Sequence, residues 1–131
     1  MNPHFVLTAG HCVTEARWLL VYLGVHTITQ ANDARLVAED GIYIHPGYGF
    51  PTHDIALLRT TTTLTPAYLS GKVGTVCLGT EDLGVGDAVL AIGWGKTSDT
   101  ATASNALKQV GLYLGLCTRA SDFGFLFLVD Y

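Results

Sequence analysis

The chain has 131 residues, of which 49% are hydrophobic and 14% are charged, and this composition excludes an intrinsically disordered protein. Eleven acidic and seven basic side chains give a formal net charge of −4, so neither a nucleic-acid-binding surface nor a polybasic membrane patch is expected. The length predicts one domain that is large enough to bury a core. No apolar run approaches the roughly 18 residues of a membrane-spanning helix, and no secretory signal is visible at the start.

Short apolar and β-branched runs alternate with glycine- and proline-rich turns, a pattern that predicts β-strands throughout. The predicted strands lie at Trp18–Val25, Leu36–Ala38, Ile42–Ile44, Ile55–Leu58, Val85–Ile92 (a turn and then a strand) and Leu107–Leu116, and Phe123–Val129 is also of strand length. Pro46–Thr52 and Lys96–Ser104 are predicted loops. Because no long stretch shows an apolar period of 3.6 residues, the pattern favours a β-barrel or β-sandwich.

A histidine, His11, follows the first β-prone run, which begins at Phe5. The small residues Ala9 and Gly10 before it would let the backbone pack closely behind the imidazole. A general base needs an imidazole that is held in one tautomer and is accessible to substrate, so His11 is a candidate catalytic base. The alternative is a histidine at a strand end that only satisfies a hydrogen bond.

A carboxylate, Asp54, stands directly before the apolar run Ile55–Leu58. Ionised carboxylates are seldom buried without partners, and an aspartate that faces a histidine is the orienting member of a catalytic triad. The alternative is an aspartate that begins a strand and stays in solvent. We interpret the adjacent His53 as a loop residue outside the triad.

Three cysteines, Cys12, Cys77 and Cys117, are widely spaced, and no Cys-x-x-Cys motif suggests structural zinc. Their odd number leaves two interpretations open, namely buried free thiols or partners that lie outside this sequence. The five histidines show no His-Glu-x-x-His spacing, so no catalytic metal is expected, and no cofactor is predicted.

Two stretches, Leu7-Thr8-Ala9-Gly10-His11-Cys12 and Asp54-Ile55-Ala56-Leu57-Leu58, resemble the histidine and aspartate motifs of the chymotrypsin-like (trypsin-type) serine protease family. Asp54 follows His11 by 43 residues, which is similar to the separation in the family. The first stretch departs from the usual family form only at Gly10, where the family generally has alanine. Other similar stretches are Val21–Ile28, Ile44–Pro46 and Gly93–Thr97. The resemblance extends from about Phe5 to Val110 and is nearest to invertebrate digestive or collagenolytic members.

The resemblance implies an all-β, chymotrypsin-like double Greek-key β-barrel, with the first barrel nearly complete and the second partial. We therefore expect one partial serine peptidase domain over 1–131. Within it, most of the first barrel would lie in 1–63, the crossover linker in 64–79 and the start of the second barrel in 80–131, of which 111–131 are atypical. An unfinished second barrel would leave open sheet edges, so marginal stability is expected.

The family's activity implies a serine endopeptidase, a hydrolase that cleaves peptide bonds by acyl transfer. His11 would transfer the proton of the nucleophilic serine, and Asp54 would fix the imidazole tautomer. No Gly-Asp-Ser-Gly-Gly stretch is present, and the four serines of the chain lack that context: Ser70, Ser98, Ser104 and Ser121. In the family's chain order the serine follows the aspartate by about ninety residues, which predicts that the nucleophile lies beyond Tyr131 and that this chain alone is inactive.

The resemblance also implies a protein or peptide substrate, a monomer, and a secreted protein whose disulfide partners for Cys12 and Cys77 lie outside this sequence. Val25 stands where calcium-binding members carry a glutamate, so no calcium site is expected. Two alternatives remain open. The chain could be a non-catalytic protease homologue that binds another protein, or a truncated gene product without a function of its own.

Overall fold

A computed structural model describes residues 4–65, 69–75, 78–79 and 82–115, together with the backbone of the strand at 127–129. Its strands are β1 (Phe5–Thr8), β2 (Trp18–Tyr22), β3 (Ala34–Ala38), β4 (Ile42–Ile44), β5 (Ala56–Arg59), β6 (Ala88–Gly93), β7 (Lys108–Tyr113) and β8 (Phe127–Val129). Three short 3-10 turns lie at Gly10–Cys12, Ile28–Gln30 and Glu39–Gly41. The prediction of an all-β chain is confirmed. Within these residues, no helix has the length and apolarity needed to cross a membrane.

The predicted strands are present, but several are shorter than predicted because turns end them. The run Trp18–Val25 ends as a strand at Tyr22, because Gly24 adopts a φ of +61° and turns the chain. Leu107–Leu116 shortens to Lys108–Tyr113. Only the last three residues of the predicted run Phe123–Val129 are described, as β8, and the rest of that run lies outside the described residues.

The strands form three antiparallel sheets with the orders β1-β5-β4, β2-β3 and β7-β6-β8. None of these sheets closes on itself within the described ranges. The chain passes from β3 in one sheet to β4 in another through the turn Glu39–Gly41. A Cβ on Gly41 would lie 2.6 Å from the carbonyl oxygen of Arg59, so only glycine allows this corner to pack against β5.

The core that supports the site consists of the buried residues Val13, Val37, Ala56 and Leu58. Partly buried apolar residues surround it, namely Val6, Cys12, Leu19, Val21, Ile42 and Ile44. In β2 the side chains alternate, so that Leu19 and Val21 face this core. The burial of alternate residues fixes the register of each strand, because a slip by one residue would turn its apolar side chains toward solvent.

The described residues group into two compact units. The first comprises Met1–Val25 and Ala31–Thr75, and the second comprises His26–Gln30 and Val76–Tyr131. In the second unit, Val89 and Ala91 of β6 are buried, whereas every residue of β7 is exposed. The segment His26–Gln30 is held there by hydrogen bonds, including one of 2.9 Å from the Ile28 N–H to the carbonyl oxygen of Asn105.

Val37 tests the core of the first unit, because its side chain is fully buried (0% exposed). We expect Val37→Ala to lower the free energy of unfolding by about 2–3 kcal/mol, since it removes two buried methyl groups and leaves a cavity. Leu36→Ala, on the opposite face of the same strand and 44% exposed, is the matched control. Urea denaturation followed by circular dichroism measures both, and equal losses for the two variants would contradict this description of the core.

Candidate active site

The pairing of β1 with β5 brings His11 and Asp54 together. Thr8, the last residue of β1, lies opposite Ala56, the first residue of β5. His11 comes three residues after Thr8, in the 3-10 turn Gly10–Cys12, and Asp54 comes two residues before Ala56. Because the strands are antiparallel, the chain that leaves one runs beside the chain that enters the other, and a sequence separation of 43 residues becomes a direct contact.

Two hydrogen bonds join Asp54 to His11. The His11 ring atom Nδ1 lies 2.6 Å from Asp54 Oδ2, and the His11 backbone N–H donates to Asp54 Oδ1 over 2.8 Å. The imidazole is 46% exposed and the carboxylate 20% exposed, so the ring is accessible while the carboxylate is largely covered. One carboxylate therefore fixes both the backbone and the ring of the same histidine.

The hydrogen bonds from the His11 ring and from its backbone N–H hold the pKa of Asp54 below its ordinary value, and the Gly10 N–H adds to this effect. The carboxylate is therefore ionised at neutral pH and can only accept hydrogen bonds. The ring proton of a neutral His11 must then sit on Nδ1, which leaves Nε2 as the basic nitrogen. This is the tautomer that a general base requires.

Cys12, next to His11, is partly buried against the core and forms no disulfide within the described residues. Burial raises the pKa of its thiol, the negative charge of Asp54 raises it further, and a hydrogen bond with Thr8 opposes both effects. Its sulfur is therefore a poor nucleophile at neutral pH. The other two cysteines, Cys77 and Cys117, lie outside the described residues.

The loop after β4, which the sequence predicted only as a loop over Pro46–Thr52, supplies neighbours of His11. The Phe50 ring meets the His11 ring edge to face, with centroids 5.7 Å apart, although Phe50 is 66% exposed. Paired backbone hydrogen bonds between Gly49 and Thr52, of 3.1 and 2.8 Å, close the tip of this loop, which contains a cis peptide bond before Pro51. The sequence shows an aromatic residue, Phe50, four positions before Asp54, but nothing in the sequence indicated that Phe50 contacts His11.

His53 occupies a loop position with a φ of +52°, and its ring stacks on that of His45 at 4.7 Å with an angle of 8° between the planes. The Gly47 N–H donates to His45 Nδ1 over 3.0 Å. The stacking of His45 on His53 thus holds together the two ends of the loop that precedes Asp54.

Two of the described serines, Ser70 and Ser104, use their side chains in local hydrogen bonds, whereas Ser98 accepts a hydrogen bond from the Ala101 N–H at its backbone carbonyl. Ser104 Oγ donates to the Ala106 carbonyl over 2.7 Å, and Ser70 Oγ accepts from the Lys72 N–H over 3.4 Å. Ser121 lies outside the described residues. In the part of the chain that the structure describes, no three His, Cys, Asp or Glu side chains are grouped to hold a metal ion.

The lowered pKa of Asp54 predicts a dependence of stability on pH. Its folded pKa lies below the unfolded value of about 3.9, so its contribution is present above about pH 4 and is lost as the pH falls through the folded pKa. Asp54→Asn should therefore lose less unfolding free energy between about pH 5 and pH 2.5 than the wild type. Asp99→Asn, in an exposed turn, is the control that should keep the wild-type dependence. Parallel pH profiles for all three proteins in urea denaturation would contradict the prediction.

Because the pKa of the Cys12 thiol is raised, in part by the negative charge of Asp54, we predict that iodoacetamide alkylates this thiol slowly. Asp54→Asn should increase the rate of Cys12 modification by iodoacetamide near pH 8 severalfold, because the nearby negative charge is lost while burial, the larger cause, stays. Peptide mass spectrometry resolves Cys12 from Cys77 and Cys117. Asp40→Asn, which changes an exposed carboxylate elsewhere in the first unit, should leave the rate unchanged. A rate at Cys12 that is the same in Asp54→Asn as in the wild type would show that the charge does not act on the thiol.

Comparison with known proteins identifies the family. The family model described as trypsin matches residues 1–121. Brachyurin of Leptuca pugilator is 33% identical over 114 residues, which cover 84% of this chain and 49% of that protein. A venom serine protease of Polistes dominula is 29% identical over 127 residues, which cover 87% of this chain and 44% of that protein. The chain spans about half the length of these curated relatives.

The match to the family model extends over most of the chain, including both His11 and Asp54. The expected fold, the all-β chymotrypsin-like double Greek-key β-barrel, is confirmed, with its sheets left open in the described residues. The predicted resemblance is likewise confirmed: the chain belongs to the trypsin family of chymotrypsin-like serine proteases.

Proposed function

We propose that this chain carries two members of the catalytic triad of a serine endopeptidase, with His11 as the general base and Asp54 as the residue that orients it. The observation that carries the proposal is the double contact of Asp54 with the ring and the backbone of His11, at 2.6 and 2.8 Å. A carboxylate that served only a structural role would not need to select the Nδ1–H tautomer of an exposed imidazole.

The reaction of the complete enzyme is hydrolysis of a peptide bond by acyl transfer. The serine oxygen attacks the scissile carbonyl carbon while His11 Nε2 takes the hydroxyl proton, and the imidazolium then donates that proton to the departing amine. Asp54 stays ionised throughout and stabilises the imidazolium through the Nδ1–H bond. A water molecule then repeats the sequence on the acyl-enzyme and releases the acid.

The chain by itself is proposed to be inactive, because it contains no Gly-Asp-Ser-Gly-Gly stretch to supply the nucleophile. Loss of the nucleophile alone costs about as much as loss of the whole triad, on the order of a million-fold in kcat. The oxyanion hole of the family, formed by backbone N–H groups around the serine, is absent with it.

The broader features of the complete enzyme form part of the same proposal. We propose that its substrates are proteins or peptides, that it is secreted and monomeric, and that it requires no cofactor. The family membership and the printed name of the venom serine protease support the protein substrates and the secretion. We also propose that the first barrel lies mainly in 1–63, the crossover in 64–79 and the second barrel from 80 onward. The division of the chain between Thr75 and Val76 supports this arrangement.

A second candidate function, a non-catalytic homologue that binds another protein, is favoured by the outer face of β2. Trp18, Leu20 and Tyr22 alternate along that strand and are 65%, 46% and 48% exposed. Aromatic side chains of this kind are enriched at protein interfaces. A tight and saturable partner that is lost in Trp18→Ser/Tyr22→Ser would favour this candidate, whereas a chain with neither partner nor activity would indicate a truncated gene product.

The proposed inactivity predicts that a fluorophosphonate probe leaves the 131-residue chain unlabelled, because the probe reacts only with an activated serine. A trypsin-family protease of known activity serves as the positive control in the same reaction. Stoichiometric labelling of any serine, located by mass spectrometry, would refute the prediction.

The proposed roles of His11 and Asp54 predict activity once a nucleophile is supplied. Residues 1–110 fused to the second half of a trypsin-family enzyme, including its Gly-Asp-Ser-Gly-Gly segment, should hydrolyse peptides. In that chimera His11→Ala should lower kcat by about a million-fold and Asp54→Asn by about ten thousand-fold. His53→Gln is the neighbouring control and should retain most of the activity. A folded, active chimera that tolerates His11→Ala would exclude the proposed base.

A further inference from the structure

The strand β6 pairs with a neighbour on each of its two edges, but the two pairings differ in length. On one edge β7 pairs with the whole of β6, Ala88–Gly93. On the other edge β8 pairs only with Leu90–Ile92, within the part of the chain that the structure describes. One edge of β6 is therefore fully covered, whereas the described pairing covers half of the other.

A hydrogen bond just beyond β7 shows which edge each residue of β6 uses. The Leu114 N–H donates to the Asp87 carbonyl over 2.8 Å, and this pair continues the register of β6 on β7. Hydrogen-bonded pairs alternate along an antiparallel ladder. Val89 and Ala91 therefore direct their backbone N–H and carbonyl groups toward β7.

The residues between them direct their backbone groups toward β8. Leu90 lies opposite Val129, and Ile92 lies opposite Phe127, so these are the hydrogen-bonded pairs of the β6–β8 ladder. The N–H of Leu128, between the two pairs, points away from β6. The described attachment of β8 thus depends on two pairs of residues.

The segment that contains β8 is apolar along its length. Residues 123–129 read Phe-Gly-Phe-Leu-Phe-Leu-Val and carry no charged side chain. The two faces of β6 suit such a segment, because Val89 and Ala91 are buried on one face while Leu90 and Ile92 are partly buried on the other. Strands that are covered on both faces favour continuous apolar runs over alternating ones.

The short ladder makes β8 the more easily displaced neighbour of β6. A strand held by few backbone hydrogen bonds opens locally more often than the rest of its sheet. An uncovered sheet edge is in turn a template that pairs with an extended segment of another chain. β8 also lies beyond residues 1–121, which match the family model, so this occupant of the edge is a feature of the present chain.

We propose that the β8 edge of β6 is a strand-acceptor site for an extended, uncharged, apolar peptide segment, and that β8 is its resident and displaceable occupant. An incoming segment adds antiparallel to the sheet and pairs through its backbone with Leu90 and Ile92. While β8 is in place, it protects this edge from other chains. The proposal is independent of the roles of His11 and Asp54.

Amide hydrogen exchange by NMR in the 131-residue chain tests whether β8 covers this edge. Phe127→Pro/Val129→Pro removes both N–H donors of β8 that face β6 and should detach the strand. Exchange at the Leu90 and Ile92 amides should then become at least about tenfold faster, while the β6 amides bonded to β7 keep their wild-type rates. Leu128→Pro is the matched control and should change the Leu90 and Ile92 rates by less than about twofold, because proline is tolerated where the N–H points away from the sheet.

A synthetic peptide tests whether the edge accepts a strand from another molecule. The peptide carries residues 121–131 of the sequence and two added lysines for solubility. In the double proline variant it should restore slow exchange at Leu90 and Ile92 in a saturable manner, whereas the same peptide with proline at positions 127 and 129 should not. The wild-type chain should bind the peptide at least about tenfold more weakly, because its own β8 competes at an effective concentration on the order of millimolar.

Three results would overturn the proposal: wild-type exchange rates at Leu90 and Ile92 in the folded double variant, no protection of these amides by the peptide at millimolar concentration, or equal binding of the peptide by the wild type and the double variant. If the double variant loses protection throughout β6, it does not fold, and Val129→Pro alone takes its place. This single variant should speed exchange at Leu90, and an unchanged rate there would equally overturn the proposal.

Discussion

The antiparallel pairing of β1 with β5 is the constraint on which the site depends. Because Thr8 pairs with Ala56, the ends of the two strands lie side by side. His11 and Asp54 lie just beyond that pair and are therefore close to each other. The same register buries Ala56 and Leu58 in the core while Leu57 between them stays 41% exposed. A slip by one residue would expose the core and would also move His11 away from Asp54. The energy of folding and the geometry of the site therefore select the same register.

The charge of Asp54 organises its surroundings at short range. Its two oxygens accept hydrogen bonds from the ring and from the backbone N–H of His11. These hydrogen bonds, together with that of the Gly10 N–H, lower the pKa of Asp54 and keep it ionised. That charge determines which nitrogen of His11 carries the proton, and it adds to burial in raising the pKa of Cys12. One partly covered carboxylate thus selects the Nδ1–H tautomer of the imidazole and suppresses reactivity at the adjacent thiol.

The loop between β4 and β5 completes the surroundings of the pair. It brings Tyr48 onto Gly10 and Phe50 onto the edge of the His11 ring, and the stacked histidines His45 and His53 hold its two sides together.

The sequence by itself determined the all-β class, most of the strands and the two motifs around His11 and Asp54, because alternation of apolar residues and short motifs are local properties. It also indicated the family. Tertiary structure alone decided the hydrogen bonds within the pair, the contact of Phe50 with His11 and the seating of Tyr48 on Gly10. These contacts join residues 38 to 43 positions apart in a chain whose loops carry no periodic signal, and only the register of β1 on β5 brings them within reach.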